Sequence, residues 1–206
     1  PDMDQMLFYL PLAGSTFKKV YYDENMGRAV SKFVPAENLV VPYETSDLET
    51  CPNITQVLRT SLNDLRKQQV SGFYLDIDVI PAQSSMDSIS DEIDLIDGFE
   101  PSQIDYDCTL LECHVDLDLE GYEDLDEDGE PTGIKIPYVV TISKDNGQIL
   151  AIRRNYNEDD EKKRKIQYFV HYKFLPGFGF YGLGLIHTIG GLSRTATSAL
   201  RQLIDA

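Results

Sequence analysis

The chain has 206 residues, 42% of them hydrophobic and 10% aromatic, enough for one cored domain or two small ones. Its 35 Asp and Glu against 18 Lys and Arg give a formal charge of −17, which repels phosphate backbones and argues against a specific nucleic-acid binder. Such a surface could still face DNA across a gap, where repulsion prevents sticking.

Asp2 to Leu10 reads as the tail of a helix ended by Pro11 and Gly14. Phe17 to Tyr22 reads as a strand. A turn over Asp23 to Gly27 leads to a partner strand, Arg28 to Val34, and Gly27 suits the positive φ of a hairpin. Leu39 to Val41 is a short apolar strand between Pro35 and Pro42, and Ile54 to Leu58 is another. Ser61 is placed as an N-cap with Asp64 three residues on, and Gly72 is placed to end that helix. A second short helix fits Ser85 to Asp97, with Met86, Ile89, Ile93 and Ile96 on one face and Gly98 as the stop.

The clearest β signal runs from Leu111 to Glu120, where apolar and polar residues alternate strictly. Period 2 predicts one buried face and one wet face, the wet one carrying Glu112, His114, Asp116, Asp118 and Glu120. Ile134 to Ser143 is the next strand, with Pro137 arguing for an edge or a bulge. Lys144 to Gly147 is a hairpin turn, and Ile149 to Tyr156 returns. A charged link, Asn157 to Lys165, leads to a last strand, Ile166 to Phe174. Four successive strands predict an antiparallel meander.

A glycine-aromatic linker, Leu175 to Gly182, precedes a helical stripe of Leu185, Ile189, Leu192, Ala196, Ala199 and Leu203. The same helix carries Gly190, Gly191, Ser193, Ala196, Ser198 and Ala199, small residues that let backbones approach, either within the fold or between subunits. The expected class is therefore α+β: an antiparallel β-rich domain over 1–174 with short helices, a linker over 175–182, and a long C-terminal helix over 183–206. Charge is uneven. No Lys or Arg lies between Lys67 and Lys135, and that stretch holds 20 of the 35 acidic residues. It reads as an acidic insertion over about 76–132 with a solvated surface. Pro1 and the uncapped run Leu200 to Ala206 suggest a chain cut at both ends.

The motifs that could carry chemistry each lack a part. Asp124, Asp126 and Asp128 with Gly129 match the first half of a calcium loop. The bidentate Glu that such a loop needs at its twelfth position is Lys135, so an acidic hairpin tip is the better reading, with weak cation binding as the alternative. His114, His171 and His187 lack ligand spacing to one another, and His114 and its neighbour Cys113 point to opposite faces of a strand. His114 and His171 could meet only if strand register allows. Gly177 to Gly182 has G-x-G-x-x-G spacing but is crowded with aromatics and follows a strand read as antiparallel. The odd count of Cys51, Cys108 and Cys113 points to thiols in a reducing compartment. The Asn53-Ile54-Thr55 sequon stands alone, no signal-type apolar run opens the chain, and Leu183 to Leu192 is too short to span a bilayer. No cofactor and no catalytic residue is expected.

Four segments in order resemble the podovirus-type branch of the tailed-phage portal proteins. They are Leu10 to Asp23 (LPLAGSTFKKVYYD), Phe33 to Tyr43 (FVPAENLVVPY), Thr109 to Glu120 (TLLECHVDLDLE) and Phe169 to His187 (FVHYKFLPGFGFYGLGLIH), the last continuing to Ala206. The resemblance runs nearly end to end. It implies a structural, non-enzymatic subunit of a ring, usually dodecameric, at one capsid vertex of the virion, assembled in the host cytoplasm. DNA would pass through its channel without specific binding. A packaging terminase, tail adaptors and capsid proteins would be its partners, and no membrane is involved. By the same resemblance 1–174 is the wing region and Leu183 to Ala206 leads into the first channel-lining stem helix. Two rival readings stand beside it: an acidic protein-binding adaptor without a DNA role, and a hydrolase whose carboxylates hide among the surface acids.

Overall fold

The computed structural model describes residues 2–23, 27–79, 107–125 and 128–205. The predicted helix Ser85 to Asp97 and the apex of the first hairpin lie outside the described residues. The class is α+β. Helices are α1 (Asp2–Ala13), α2 (Leu62–Val70) and α3 (Leu185–Asp205). Strands are β1 (Ser15–Asp23), β2 (Arg28–Pro35), β3 (Leu39–Val40), β4 (Asn53–Ser61), β5 (Asp107–Leu117), β6 (Ile136–Ser143), β7 (Ile149–Arg154) and β8 (Phe169–Lys173). The chain forms two compact units: Pro1–Cys51 with Gln167–Ala206, and Pro52–Ile166. The 1–174 span therefore runs through both.

In the first unit α1 begins with Asp2 and Asp4 in its first turn, where carboxylates suit the positive end of the helix dipole. It runs through Pro11 to Ala13, past the predicted stop. Pro11 lies within the last turn, so the ring has little helix beyond it to disrupt. The turn closes at Gly14, whose φ of 88 suits glycine and whose N–H reaches the Leu10 carbonyl at 2.9 Å. β1 then pairs with β2 from Thr16↔Pro35 to Asp23↔Arg28. On its other side β1 pairs with β8, from Ser15↔Lys173 to Lys19↔Phe169. The buried face of this sheet carries Phe17, Val34 and Phe169.

That second pairing corrects the predicted meander. The strand Ile166 to Phe174 does not follow β7 but joins the sheet of the first unit. Ile166 keeps one bond to the end of the meander, from its N–H to the Asn155 carbonyl at 2.9 Å. The charged link before it is long enough to release the chain from a hairpin return.

In the second unit the meander consists of β4, β5, β6 and β7, all antiparallel. The strand at 53–61 is thus its first member, with α2 inserted before β5. Ser61 caps α2: the Asp64 N–H donates to its Oγ at 3.2 Å, and that hydroxyl donates to Asp64 Oδ2 at 3.0 Å. Gly72, at φ 77, turns the chain back, and Gln69 Nε2 donates to the Leu75 and Ile77 carbonyls. The returning segment lays Tyr74 beside Leu65, Cys108, Leu110, Leu150 and Ala151 on one face of the sheet. On the other face Ile136, Tyr138 and Val140 pack with Val115, Leu117 and Tyr156.

Both sheet faces are covered, and this corrects the reading of β5. Glu112 and His114, predicted on a wet face, are buried at 8% and 3% exposure. Each contributes to a hydrogen bond of 2.7 Å between Glu112 Oε1 and His114 Nε2. The wet alternation holds for Asp116, Asp118 and Glu120, where the cover ends. Pro137 is also relocated: β6 lies between β5 and β7, at neither edge. Its partner position is Asn155, whose N–H reaches the Pro137 carbonyl at 2.9 Å, and β7 ends one residue earlier, so the missing proline N–H costs no rung within β7. The register shift of β6 falls instead between Thr141 and Ile142.

Because Ser61 satisfies an otherwise orphaned helix N–H, Ser61→Ala is expected to cost about 1 kcal/mol in chemical denaturation without changing the fold.

Candidate subunit-packing helix and its junction

α3 is anchored at its N-terminus by close backbone packing. Gly14, Gly182 and Gly184 meet without side chains between them. A Cβ on Gly184 would sit 2.3 Å from the Leu12 carbonyl oxygen, and one on Gly14 would sit 2.4 Å from the Gly184 nitrogen. A Cβ on Gly182 would lie 2.5 Å from the Gly14 oxygen. Around this contact the Phe174 N–H donates to the Gly14 carbonyl at 3.0 Å, and Leu175 and Leu183 exchange both backbone bonds. The G-x-G-x-x-G spacing thus serves a tight turn packed on the end of α1. Gly177 belongs to it too, with the Tyr181 carbonyl 2.7 Å from where a Cβ would be.

Side chains lock the same loop. The Gly182 N–H donates to Ser15 Oγ at 2.7 Å, and His171 Nε2 lies 3.1 Å from that hydroxyl. Having accepted from Gly182, Ser15 can donate to a neutral His171. The imidazole stacks on Phe17 with centroids 4.4 Å apart and meets Phe180 at 4.7 Å. Burial, aided by the charge of Lys173, pushes its pKa down from 6.5 to about 4. Sequence alone missed this Ser–His contact because Ser15 and His171 are distant in the chain and meet only through β1–β8 register. Ser15 is 3% exposed, and its hydroxyl is engaged by backbone.

From this junction α3 continues for 21 residues. Its first turn is closed by His187 Nδ1, which accepts the Gly184 N–H at 3.1 Å. The six-residue apolar stripe lies on one side, and all of residues 185–204 are exposed. Leu185 is 40% exposed, Leu192 72% and Leu203 75%, so exposure grows away from the junction. At about 3.6 residues per turn, Gly190, Arg194 and Arg201 fall on the side opposite the stripe. A Cβ on Gly190 or Gly191 would meet nothing within 4 Å. Ser193, Ala196 and Ala199 are exposed as well. Thr195 and Thr197 turn their hydroxyls back to the Gly191 and Ser193 carbonyls.

The acidic loop takes a different form from a cation site. Asp124 Oδ1 is bound by the Lys163 ammonium, and Oδ2 accepts from Thr132 Oγ1 at 2.8 Å. These bonds, that to Lys163 first, hold its carboxyl below the usual range. Leu125 bridges Pro131, and Gly129 takes a φ of 83 at the tip. Asp128 is exposed, and Asp126 lies outside the described residues. Among the described residues no group of three His, Cys, Asp or Glu could hold a metal ion. His114, His171 and His187 stand in three separate settings, and the three cysteines form no disulfide. No described helix is long and apolar enough to cross a membrane.

Compared with protein-family models and with curated proteins, the chain matches none of them.

Two outcomes test this junction. Gly184→Ala forces a methyl into the Leu12 carbonyl, a backbone atom that cannot swing aside, and should cost about 3 kcal/mol of unfolding free energy. For His171 the unfolded state binds more protons than the folded one between pH 6.5 and about 4. Stability should therefore be complete above pH 6.5 and fall as the pH drops towards 4. A thermal-melt series should show that decline, and His171→Gln should flatten it.

Proposed function

We propose that this chain is a non-catalytic structural subunit of a phage-type portal ring, with α3 as the element that packs against neighbouring copies. The observation that carries the reading is the exposed amphipathic face of α3, anchored at one end by the glycine junction. A monomer gains nothing from an exposed run of Leu185, Ile189, Leu192 and Leu203. Nor does it use the smallness of Gly190 and Gly191, which cost a helix about 1 kcal/mol each relative to alanine. Helices of two neighbouring copies, one on the stripe and one on the opposite side that bears Gly190, would give both features a purpose, as each subunit of a ring has two neighbours. The ordered resemblance of the four segments supports the same reading, and so does an acidic surface that would let DNA pass without sticking. The proposed partners are further copies of the subunit, a packaging terminase, tail adaptors and capsid proteins, and the proposed setting is the capsid vertex of a virion. The adaptor reading draws on the exposed acids Asp116, Asp118 and Glu120. It leaves the apolar stripe unexplained.

The full-length protein should give ring-shaped particles in negative-stain microscopy. Gly190→Ala with Gly191→Ala should raise helix stability yet impair ring formation. A monodisperse full-length monomer at high concentration would overturn the reading.

A further inference from the structure

We infer that α3 beyond its glycine pair, from Leu192 to Ile204, is a segment that folds on assembly: it holds its helical form only when neighbouring copies of the chain pack on it. The inference deepens the proposal for α3 and rests on it for the identity of the neighbours.

The distal helix lacks the support that keeps a helix formed in water. Short isolated helices are marginal there even when rich in alanine, and most helices in proteins are held by burial of an apolar face. Every residue from 185 to 204 is exposed, so the stripe of α3 gains no such burial against the described chain. Its own residues do not make up the difference. Gly190, Gly191, Ser193, Thr195, Thr197 and Ser198 rank low as helix formers, against Leu192, Arg194 and Ala196. Each glycine lowers helix propagation about fivefold relative to alanine. Thr195 and Thr197 donate to the Gly191 and Ser193 carbonyls at 3.0 and 2.9 Å, side-chain bonds that weaken and bend a helix. No acid stands in the first turn and no base in the last, so side-chain charge supports the helix dipole at neither end.

The first turns differ. Gly184 and His187 tie them to the junction, and Thr188 Oγ1 donates to the Leu185 carbonyl at 3.2 Å. Gly190 and Gly191 fall where that hold ends, and paired small residues of this kind are a common place for a helix to break. Burial decides the balance. Leu192, Leu200, Leu203 and Ile204 are 61–81% exposed. Covering each of them would favour the packed helix at least about tenfold, against about fivefold lost at each glycine. A neighbouring copy on this face therefore outweighs both glycines. Ordering on contact also lowers the affinity of a single encounter.

The test is hydrogen exchange read by mass spectrometry on the full-length protein, first diluted to separate subunits and then in assembled particles. In separate subunits the amides of 192–204 should exchange within about tenfold of an unstructured chain, while those of β6 stay protected and report an intact fold. In particles the same α3 amides should slow at least about a hundredfold. Thr195→Ala with Thr197→Ala, on the flanks of the stripe, should slow exchange in separate subunits. The same pair should tighten assembly about fivefold, because less ordering is left to occur on contact. Protection above the tenfold level in separate subunits would overturn the inference and assign the cover to another part of the same chain. Fast exchange that persists in particles, a strengthened helix that does not tighten assembly, or a wild type that never assembles would each overturn it too. The two proposals fail separately. Rings whose separate subunits already hold a protected α3 would sink this inference alone. Particles that order α3 without forming rings would sink the ring reading alone.

Discussion

The packing of Gly14, Gly182 and Gly184 is the contact on which the first unit depends. It brings the end of α1, the loop after β8 and the start of α3 to backbone contact, at separations no side chain permits. Three consequences follow. β1 leaves the junction directly at Ser15, so its register with β8 is set beside the contact. The loop can then offer the Gly182 N–H to Ser15 Oγ, which in turn faces His171. Finally, α3 departs from a fixed point. A long helix that lacks cover of its own is held in direction by its first turn alone, and here that turn is doubly closed, by backbone packing and by His187.

The second unit is built on a different constraint. β6 is buried along nearly its whole length, which requires cover on both faces of the meander. Tyr74 and Leu65 supply it on one side. The price is the enclosure of polar groups: Glu112 and His114 with their short hydrogen bond, and Thr141 and Ser143 on the adjacent strand. Register fixes this arrangement, since Gln56, Glu112 and Thr141 stand opposite one another on three successive strands. Burial of the Tyr74 hydroxyl, with the Glu112 charge nearby, raises its pKa. Slipping β5 by one residue would turn Leu111 and Cys113 to this side and move Glu112 and His114 to the other, so the polar row and the hydrophobic cluster stabilise the same register.

Local signals in the sequence read well wherever local chemistry decides the outcome. The Ser61 cap, the Gly72 stop and the Gly147 turn each depend on a few neighbouring residues, and each stands where expected. Signals that depend on distant partners read less well. Alternation at Glu112 and His114 implied a wet face, because period 2 reports which residues share a side and not whether that side is later covered. Chain order implied a fourth meander strand at Ile166 to Phe174, but pairing was decided by β1, about 150 residues away. The apolar stripe of α3 was legible in full. Its exposure was not, since an amphipathic helix looks the same whether its cover comes from its own fold or from another molecule.

The charge pattern and the α3 stripe bear on the same question. A subunit that joins copies of itself while carrying a charge of −17 must overcome mutual repulsion. Apolar burial along a helix can supply affinity, but it has no long-range direction and does little to orient the approach. Segregated charge does the opposite: it steers encounter and fixes orientation, and contributes less to final affinity. Charge is segregated along this chain, with 20 of its 35 acidic residues and no Lys or Arg between Lys67 and Lys135. On the proposed ring reading, charge would orient the approach and α3 would hold the copies once they have met. The glycine junction would then matter to that step, because it fixes the base of α3 against the end of α1 and the start of β1.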